Sequence, residues 1–515
     1  MRFSRLVNIK GGSKVAKTFD VVIIGAGIVG SCIARELSKC SAKIALLEKE
    51  NDVSCGSSKA NSAIIHAGYD PEPGTLMAKL NVRGSNMYEE LAQKLNFDYK
   101  KIGSLVLAFD NAGIKILQTL LNRGNTNGVK DLRTVQAEEL RSMEPNISED
   151  ALAALYAPSA AIINPYKATW AFAESAVING VEFFRNTAVH SIIKSEDVFD
   201  ITTGHGVLQA KYVINATGIE SGNVSRMAGA RSYVIKQRRG EYCLLDNNCK
   251  ELVNHVLFQT PTKLGKGILI TQTVDGNILI GPSADEQNEY EYKGTTSSSQ
   301  SSILKTASLS IPNIPRANII NSFAGIRAIA YNSDSNGNAS SAVNDFIIEE
   351  DENVKAFFNV GGICSPGLSA APAIAEYVVS LLAKAGLDTS KRSNFIEERE
   401  GIVSFATEPL ENQIKLVKQN SLYGQIVCRC ETVTEAEIVA AINSPLGARD
   451  LDGVKRRTRA GMGRCQSGFC SPRVTEILSR ETKVPMTSIT KKGGASYVLA
   501  GKSRDFSDDE IGGAR

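Results

Sequence analysis

The chain has 515 residues, a net charge of +3 and a hydrophobic fraction of 43%, a composition typical of a globular protein with two or three domains. The small net charge gives no indication of a nucleic-acid partner. No apolar run is both long enough and free enough of charge to span a bilayer, so we expect no transmembrane segment and at most peripheral membrane association.

The first 18 residues form a basic arm that has no acidic residue before Asp20. This composition is typical of an organellar presequence, and a solvated, disordered arm is the alternative. Nothing in the sequence resembles a secretory signal peptide. We therefore expect a protein of the cytoplasm or of a mitochondrion-like organelle, and not a secreted one.

A strand–turn–helix motif follows between Asp20 and Glu48. The pattern predicts a buried strand at Val21 to Ile24, a G-x-G-x-x-G turn at Gly25, Gly27 and Gly30, a helix at Ile28 to Lys39 and a strand at Lys43 to Leu47. The three glycines allow a tight turn, close approach of backbone N–H groups to a pyrophosphate, and close helix–strand packing. Glu48 can accept hydrogen bonds from a ribose hydroxyl. The motif predicts a dinucleotide site and leaves NAD and FAD both open.

The rest of the large N-terminal part alternates between helical and strand patterns. Helices are expected at Leu76 to Leu95, Thr134 to Met143, Tyr166 to Asn179 and Ala370 to Ala385. Single strands are expected at Gly103 to Ala108, Ala154 to Ala157, Val181 to Phe184, Tyr212 to Ala216, Phe346 to Glu349 and Ala356 to Val360, with a loop at Pro158 to Lys167. An antiparallel meander is expected at Ala188 to Lys194, Phe199 to Thr203 and Val207 to Ala210, and further antiparallel strands at Glu241 to Leu245, Gly267 to Thr271 and Asn277 to Ile280.

These elements predict an α/β protein, α+β overall, in which a Rossmann-like dinucleotide domain carries an inserted antiparallel β-sheet substrate domain. A small helical, Cys-rich domain follows at the C-terminal end. The expected boundaries are a basic arm at 1–18, an oxidoreductase module at 19–386, a connector at 387–423, a Cys-rich domain at 424–484 and a polar tail at 485–515. Within the module, the dinucleotide-binding parts span 19–100, 155–230 and 325–386, and the substrate-domain parts span 101–154 and 231–324.

Four of the ten cysteines crowd near the end of the chain, at Cys428, Cys430, Cys465 and Cys470. Two close pairs separated by a longer insert can hold either Zn²⁺ or an iron–sulfur cluster. A C-x-C pair is too tight for the common zinc knuckle. A run of cations precedes the second pair and would offset the negative charge of a thiolate-bound cluster: Lys455, Arg456, Arg457, Arg459 and Arg464. The residues favour a [2Fe–2S] cluster and leave zinc in an interaction module, or unrelated buried thiols, as alternatives.

Several further motifs carry a resemblance to known families. They are SSKANSAIIHAGYD at Ser57 to Asp70, INATG at Ile214 to Gly218, RRGEY at Arg238 to Tyr242, FAGIR at Phe323 to Arg327 and GGICSPGLSAAPAI at Gly361 to Ile374. With them, residues from about Val21 to Ala385 resemble the FAD-dependent D-amino-acid oxidase/glycerol-3-phosphate dehydrogenase superfamily. The C-terminal cysteines resemble those of the bacterioferritin-associated-ferredoxin-like (BFD-like) [2Fe–2S] domain, as in large subunits of the anaerobic glycerol-3-phosphate dehydrogenase type.

The resemblance implies two cofactors, FAD and a [2Fe–2S] cluster, and a set of site residues. The implied FAD-binding residues are Gly25, Gly27, Ile28, Gly30, Glu48, Lys49, Ser57, Ser58, Asn61, Ser62, Val189, Ala216, Thr217, Gly218, Gly362, Ile363, Gly367 and Leu368, and the implied cluster ligands are Cys428, Cys430, Cys465 and Cys470. We expect His66 to take the hydroxyl proton of a substrate alcohol. Arg327 is expected to bind a substrate carboxylate or phosphate. Weaker candidates are Arg238, Arg239, His255 and Lys266.

The resemblance further implies oxidation of glycerol 3-phosphate to dihydroxyacetone phosphate, with electrons passed from FAD through the cluster to an acceptor protein or a quinone-linked partner. An L-2-hydroxy acid such as 2-hydroxyglutarate is the alternative substrate. A non-catalytic electron-transfer subunit is the alternative of another class. Ala63 and Ala161 stand where the family usually has Gly, and their methyl groups, expected near the cavity, leave the identity of the small anionic substrate open.

Overall fold

The computed structural model describes residues 17–261, 267–286 and 290–501. The interpretations of the basic arm up to residue 16, of Lys266 and of the polar end from residue 502 lie outside these ranges. Across the part of the chain that the structure describes, no helix is long and apolar enough to cross a membrane.

The strands are, in chain order, β1 (Lys17–Ile24), β2 (Ile44–Leu47), β3 (Ile64–Ile65), β4 (Tyr99–Lys101), β5 (Ser104–Ala108), β6 (Arg133–Gln136), β7 (Ala153–Ala157), β8 (Ala161–Ile163), β9 (Glu182–Phe184), β10 (Val189–Ser195), β11 (Val198–Thr203), β12 (Gly206–Asn215), β13 (Tyr233–Leu245), β14 (Val256–Gln259), β15 (Leu269–Gln272), β16 (Ile278–Gly281), β17 (Asp285–Glu286), β18 (Ile319–Ser333), β19 (Ala339–Ala342), β20 (Ile347–Glu350), β21 (Phe357–Gly361), β22 (Ile426–Cys428) and β23 (Val433–Thr434). The helices are α1 (Ile28–Leu37), α2 (Leu76–Leu95), α3 (Asn111–Asn127), α4 (Ala137–Met143), α5 (Pro165–Ile178), α6 (Ser221–Met227), α7 (Ser297–Ala307), α8 (Gly367–Lys384), α9 (Leu410–Gln419), α10 (Glu435–Asn443), α11 (Leu451–Thr458) and α12 (Ser471–Thr482).

The dinucleotide sheet is built on β1, which pairs in parallel with β12 on one side and β2 on the other. β21 and β9 extend the parallel part, and β10 and β11 form the antiparallel meander beside β12. β1 is buried on both faces because Val21 and Ile23 point into the core with helices α1, α5 and α8, while Val22 and Ile24 point into the core under the meander. Such two-sided burial explains the continuous apolar run in the sequence.

The substrate sheet is separate and mostly antiparallel. In the described residues it runs β19-β18-β13-β16-β15-β14-β5-β7-β6, with β17 added beside β13. Its longest pairing joins β13 to β18, from Tyr233 opposite Asn332 to Leu245 opposite Ile319. Because β18 ends at Ser333, this sheet continues past the boundary expected at residues 324 and 325. The two sheets confirm the predicted fold class.

Three local expectations were wrong. The stretch expected to be a helix from Thr134 begins as β6, whose Thr134 and Val135 pair with β7, and α4 starts only at Ala137. The expected loop after Ala157 contains β8, which pairs with β3 and β4. Two strands expected on either side of Lys211 are one continuous strand, β12. In each case a partner strand distant in sequence decides the conformation.

The C-terminal part is a small helical domain around α10, α11 and α12, with β22 and β23 as a hairpin. Thr434 begins α10 with a capping box, in which its hydroxyl and the Glu437 carboxylate satisfy each other's backbone N–H groups. Residues 485–498, placed in the tail by the sequence, include a short bridge between Thr490 and Tyr497. The Thr490 carbonyl accepts the N–H of Leu451, so this stretch packs on α11.

Candidate functional site

The glycine-rich turn brings β1, β12 and α1 close together. Gly25 has φ +103°, and a Cβ there would lie 2.6 Å from the Ala216 carbonyl oxygen. A Cβ on Gly30 would lie 1.9 Å from the Gly25 carbonyl oxygen. Gly27 caps α1 and contributes no side chain. The positive N-terminal end of α1 therefore borders the space in front of the turn, where an anion is favoured.

A cavity of about 990 Å³ starts at this turn and reaches the substrate sheet. Most residues expected to bind the cofactor line it: Gly25, Gly27, Ile28, Glu48, Lys49, Ser57, Ser58, Asn61, Ser62, Val189, Ala216, Thr217, Gly218, Ile363, Gly367 and Leu368. His66 and Arg327 line the same cavity. Gly30 and Gly362 do not line the cavity. Gly30 packs against the backbone of Gly25, and Gly362, at φ +64°, packs against Ala330.

The loop at Ser57 to Ser62 is hydrogen-bonded to both the dinucleotide domain and the substrate sheet. The Ser58 Oγ accepts the N–H of Ile28 at 2.9 Å, and the Ser57 hydroxyl donates to the Ile326 carbonyl at 2.6 Å. The Asn61 amide donates to the carbonyls of Ser57 and Ser58 at 3.1 and 3.0 Å. The loop therefore spans from the start of α1 to β18, and the Ser58 hydroxyl keeps its hydrogen for a ligand oxygen.

His66 lies at the substrate-sheet end of the cavity. Its backbone N–H donates to the Ser369 hydroxyl at 2.8 Å, and its carbonyl accepts the Asn81 amide at 2.7 Å. The Nε2 atom lies 3.5 Å from the Ser365 hydroxyl, and the imidazole ring lies 5.8 Å from the Phe258 ring. Both backbone bonds come from helices, so the imidazole is attached to a fixed part of the wall.

Arg327 faces the same end from β18. Its guanidinium donates to the Ser283 carbonyl at 3.3 Å. Tyr242, on the paired strand β13, lies beside it and shares a 3.0 Å hydrogen bond with the Ser62 hydroxyl. Burial raises the pKa of Tyr242, and the nearby Arg327 charge opposes that rise. Tyr242 was not assigned by sequence reasoning, although its place in the RRGEY motif was the available signal.

The weaker candidates separate into two groups. Arg238 lines the cavity. Arg239 instead forms a 3.0 Å ion pair with the buried Glu241. His255 lies elsewhere, with its Nδ1 2.8 Å from a Glu144 carboxylate oxygen.

The two alanines that depart from the family pattern occupy different places. Ala63 lines the cavity and has φ +60°, the region in which Gly is the usual residue. Ala161 lies in β8, opposite Ile65, and belongs to the core around α1, α5 and α8. Ala161 therefore does not line the cavity, although its partner strand β3 contributes Ile64 to the lining.

The four C-terminal cysteines lie as two neighbouring pairs, Cys428 with Cys470 and Cys430 with Cys465. The neighbouring Cys470 thiol lowers the pKa of the Cys428 thiol, and the N–H of Gly461 lies 3.5 Å from the Cys428 sulfur. Among the described residues, no three His, Cys, Asp or Glu side chains form a compact group for one metal ion. Four thiolates in two pairs are a donor set that suits a [2Fe–2S] cluster.

The Cys-rich domain docks on the dinucleotide domain through a buried ion pair. Asp52, four residues after Glu48, accepts bonds from Arg456 at 2.8 Å and from Arg457 at 2.7 and 2.8 Å. The side chains of Asp52 and Arg457 are 2% and 1% exposed. Burial alone would raise the pKa of Asp52, but the two guanidinium groups hold it well below its usual range. The two domains are therefore joined by charges that water does not reach.

A second contact surrounds Trp170 on α5. The Arg399 guanidinium lies 3.9 Å from the centre of its ring, and Arg457 lies 5.2 Å from it. Arg399 also forms a 2.5 Å ion pair with Glu174, whose other oxygen accepts the N–H of Leu446 at 3.2 Å. The connector, the dinucleotide domain and the Cys-rich domain thus meet at one buried point.

These contacts give part of the basic run before Cys465 a role that the sequence did not predict. Arg456 and Arg457 neutralise Asp52 of the dinucleotide domain. Arg459 pairs with Asp275 and also with Glu431, at 2.7 Å. The sequence could not assign these partners, because they lie far away along the chain.

Comparison with known proteins decides which dinucleotide the cavity takes. The sequence profile described as FAD dependent oxidoreductase (DAO) matches residues 20–381. The chain belongs to this family of FAD-dependent oxidoreductases. A second profile, the BFD-like [2Fe-2S] binding domain, matches residues 426–480. The chain is therefore a flavoprotein that carries a [2Fe–2S] cluster, as the four paired cysteines suggest.

Individual relatives extend this similarity. The chain is 46% identical to a glycerol 3-phosphate dehydrogenase of Caloramator mitchellensis, over 94% of this chain and 99% of that one. It is 33% identical to a glycerol 3-phosphate oxidase of Mycoplasma genitalium, over 71% of this chain and 95% of that one. Among solved structures, the FAD-bound L-alpha-glycerophosphate oxidase of Mycoplasma pneumoniae superposes with a TM-score of 0.69 at 31% identity, over 74% of this chain and 98% of that one.

The residues present fit FAD. The Cβ-free turn at Gly25 and Gly30 and the N-terminal end of α1 suit the pyrophosphate. At the end of β2, the Glu48 carboxylate already accepts the N–H groups of Ala26 at 2.9 Å and Glu50 at 3.0 Å. It therefore faces the turn and is held where a ribose would lie.

The Glu48 carboxyl predicts a pH dependence of FAD binding. Burial raises the pKa of Glu48 to about 7. The two accepted N–H bonds and the Lys49 charge oppose this rise, and the Glu50 charge adds to it. Ribose hydroxyls donate to the ionised form, so binding requires loss of this proton. We expect the affinity of the apoprotein for FAD to increase up to about tenfold per pH unit below pH 7 and to level off above it.

Flavin fluorescence quenching between pH 5.5 and 8.5 measures this affinity. Glu48→Gln is expected to bind more weakly and to remove the pH dependence. Glu50→Gln, which changes an adjacent carboxyl, is the control and should retain it. If Glu48→Gln kept the same pH dependence, the titration that controls FAD binding would belong to another group.

Proposed function

We propose that the protein oxidises glycerol 3-phosphate to dihydroxyacetone phosphate and passes the electrons on through its [2Fe–2S] cluster. The observation that carries this proposal is the arrangement of the cavity, in which His66 and Arg327 line the end at the substrate sheet and Glu48 and the glycine turn line the other end. The similarity to the Caloramator mitchellensis dehydrogenase supports the substrate, because it extends through the cluster domain.

In this proposal, the chain's own residues bind the substrate and move its proton. The Arg327 guanidinium, planar and permanently charged, holds the phosphate or the oxygen that becomes the carbonyl. The His66 imidazole takes the proton of the secondary hydroxyl. When bound, FAD accepts the hydride from the substrate carbon and the cluster relays single electrons. Tyr242, hydrogen-bonded to Ser62, limits the space beside the substrate.

Stepwise anaerobic addition of substrate to the purified protein tests the proposal. Glycerol 3-phosphate is expected to bleach the flavin absorbance and then the absorbance of the cluster, whereas L-2-hydroxyglutarate should bleach neither at the same concentration. In Cys430→Ser, flavin should still be bleached while the iron content and the cluster absorbance are lost. Cys249→Ser, a partly exposed cysteine of the substrate domain, is the matched control.

Two outcomes would contradict the proposal. The first is an unbleached flavin in the presence of glycerol 3-phosphate, which rules out the substrate. The second is faster bleaching by L-2-hydroxyglutarate, which favours the alternative substrate.

We further infer that the cluster passes its electrons to a separate electron carrier, because the cluster would not be needed if the flavin passed its electrons directly to the final acceptor.

A further inference from the structure

One edge of the cluster site lies at the protein surface. Cys428 and Cys470 are buried in the core of the small domain, whereas Cys430 is exposed and Cys465 is partly exposed. Gly463 brings the two outer cysteines together, since a Cβ there would lie 2.4 Å from the Cβ of Cys430. Electrons that reach the cluster therefore have a short way out at the Cys430–Cys465 edge.

An exposed aromatic side chain stands directly beside this edge. Phe469 is 88% exposed, the highest value for a large hydrophobic residue in the part of the chain that the structure describes. It stands directly before the cluster ligand Cys470 and four residues after the ligand Cys465. The ring itself is not part of any core cluster of the small domain. A scattered exposed apolar residue needs no explanation, but this one lies between two cluster ligands in the chain.

The exposed residues that precede the two outer cysteines are positively charged. Arg429, next to Cys430, is exposed and has no ion-pair partner within the described ranges. Arg464, next to Cys465, has a side chain that is 67% exposed, and it reaches one carboxylate, Asp246, at 3.1 Å. Glu431, which follows Cys430, is paired with Arg459. Two exposed arginines therefore precede the outer cysteines, and one of the two, Arg464, has a carboxylate partner within the described ranges.

We propose that Phe469, Arg429 and Arg464 form a docking surface for a negatively charged one-electron carrier protein, which binds over the Cys430–Cys465 edge. The proposal rests on the proposed function, because it names where that reaction's electrons leave. Each oxidised substrate molecule gives up two electrons and two protons. The electrons reduce two molecules of oxidised carrier, one electron each, and the protons go to water.

A protein partner fits this surface better than a membrane does. Protein interfaces are enriched in aromatic residues and arginine, and a few such residues supply most of the binding energy. Membrane-surface helices instead need a continuous apolar stripe along one face. Phe469 stands alone, since its neighbours Gly468 and Pro472 offer no such stripe. The arginines select for a negatively charged partner and accelerate its approach.

Binding of carriers to the full-length holoprotein tests the surface without substrate. The probe is an oxidised b-type cytochrome of net negative charge, and the comparison is an oxidised c-type cytochrome of net positive charge. We expect the first to bind more tightly and to lose affinity as salt is added. Phe469→Ala and Arg429→Glu are each expected to raise its Kd about tenfold or more. Arg429→Glu should also improve binding of the positive cytochrome.

Matched controls separate docking from general surface effects. Leu309→Ala removes a side chain of the substrate domain that is 59% exposed. Lys130→Glu reverses an exposed charge after α3. Both should leave the Kd unchanged. Iron content and the visible spectrum should be unchanged in Phe469→Ala and Arg429→Glu, which shows that the cluster is intact.

Several results would overturn the proposal. They are no binding of the negative cytochrome, a wild-type preference for the positive one, or unchanged Kd values in both variants. Loss of binding to phosphatidylglycerol vesicles in Phe469→Ala, with cytochrome binding unchanged, would assign the ring to a membrane. Because no substrate is present, none of these outcomes bears on whether glycerol 3-phosphate bleaches the flavin.

Discussion

His66→Gln is expected to lower kcat by about 10²- to 10⁴-fold with glycerol 3-phosphate and a dye acceptor, because a positioned general base contributes about that factor. Glutamine keeps a polar side chain but cannot take the hydroxyl proton. The backbone bonds of His66 to Ser369 and Asn81 do not involve the imidazole, so the loop should keep its conformation. FAD content and the flavin spectrum should therefore match those of the wild type, and KM should change much less than kcat.

His205→Gln is the matched control for this substitution. His205 lies in the turn after β11, and its Nε2 is 3.1 Å from the Asn186 carbonyl. The same chemical change there should leave kcat unaltered. A His66→Gln protein with nearly full turnover and normal FAD content would show that another group takes the proton, and would revive the interpretation of a non-catalytic electron-transfer subunit.

Asp52→Asn is expected to destabilise the junction between the two modules by about 3–5 kcal/mol, because removing one partner leaves the buried charges of Arg456 and Arg457 uncompensated. Trp170 is the single tryptophan of the chain and lies between Arg399 and Arg457. Its emission therefore reports the opening of this junction. We expect a red shift of Trp170 emission at a much lower urea concentration than in the wild type.

Asp98→Asn provides the comparison, since Asp98 pairs with Lys167 at 2.9 Å with its side chain 45% exposed. An exposed pair of this kind contributes about 1 kcal/mol or less. An equal urea midpoint for Asp52→Asn and the wild type would contradict the buried pair. The stabilisation by Asp52 is present above the ordinary aspartate pKa, about 3.9, and is lost only as the pH falls through its lowered pKa. The contribution of the Asp52 ion pair should therefore be insensitive to pH between about 5 and 8.

Local sequence patterns predicted the parts of the site that depend on neighbours in the chain. The glycine turn, Glu48 at the end of β2 and the four cysteines depend on fixed spacings. The structure places the turn and Glu48 at one cavity and the cysteines in two neighbouring pairs. Arg456 and Arg457 could not be assigned to Asp52 because their ion pair forms only when two domains meet. Sequence patterns record which side chains are available, and the tertiary structure decides which of them become paired.

Tyr242 and β6 show the same limit at a smaller scale. Tyr242 comes near Arg327 only because the long pairing of β13 with β18 brings two distant motifs together. Residues Thr134 and Val135 are β-branched, which favours a strand, yet the polar pattern that follows favours a helix. Pairing with β7 decides between them.

The short loop after Glu48 belongs to the dinucleotide domain and also contacts the Cys-rich domain. This double role constrains how the sequences of such proteins diverge. Asp52 lies in that loop and meets arginines that belong to the C-terminal domain. A relative that consists of the flavin module alone has no such arginines, so a buried carboxylate at this place would lose its partners. An acidic residue at this position and the arginine pair should therefore be inherited together, and be lost together when the cluster domain is lost.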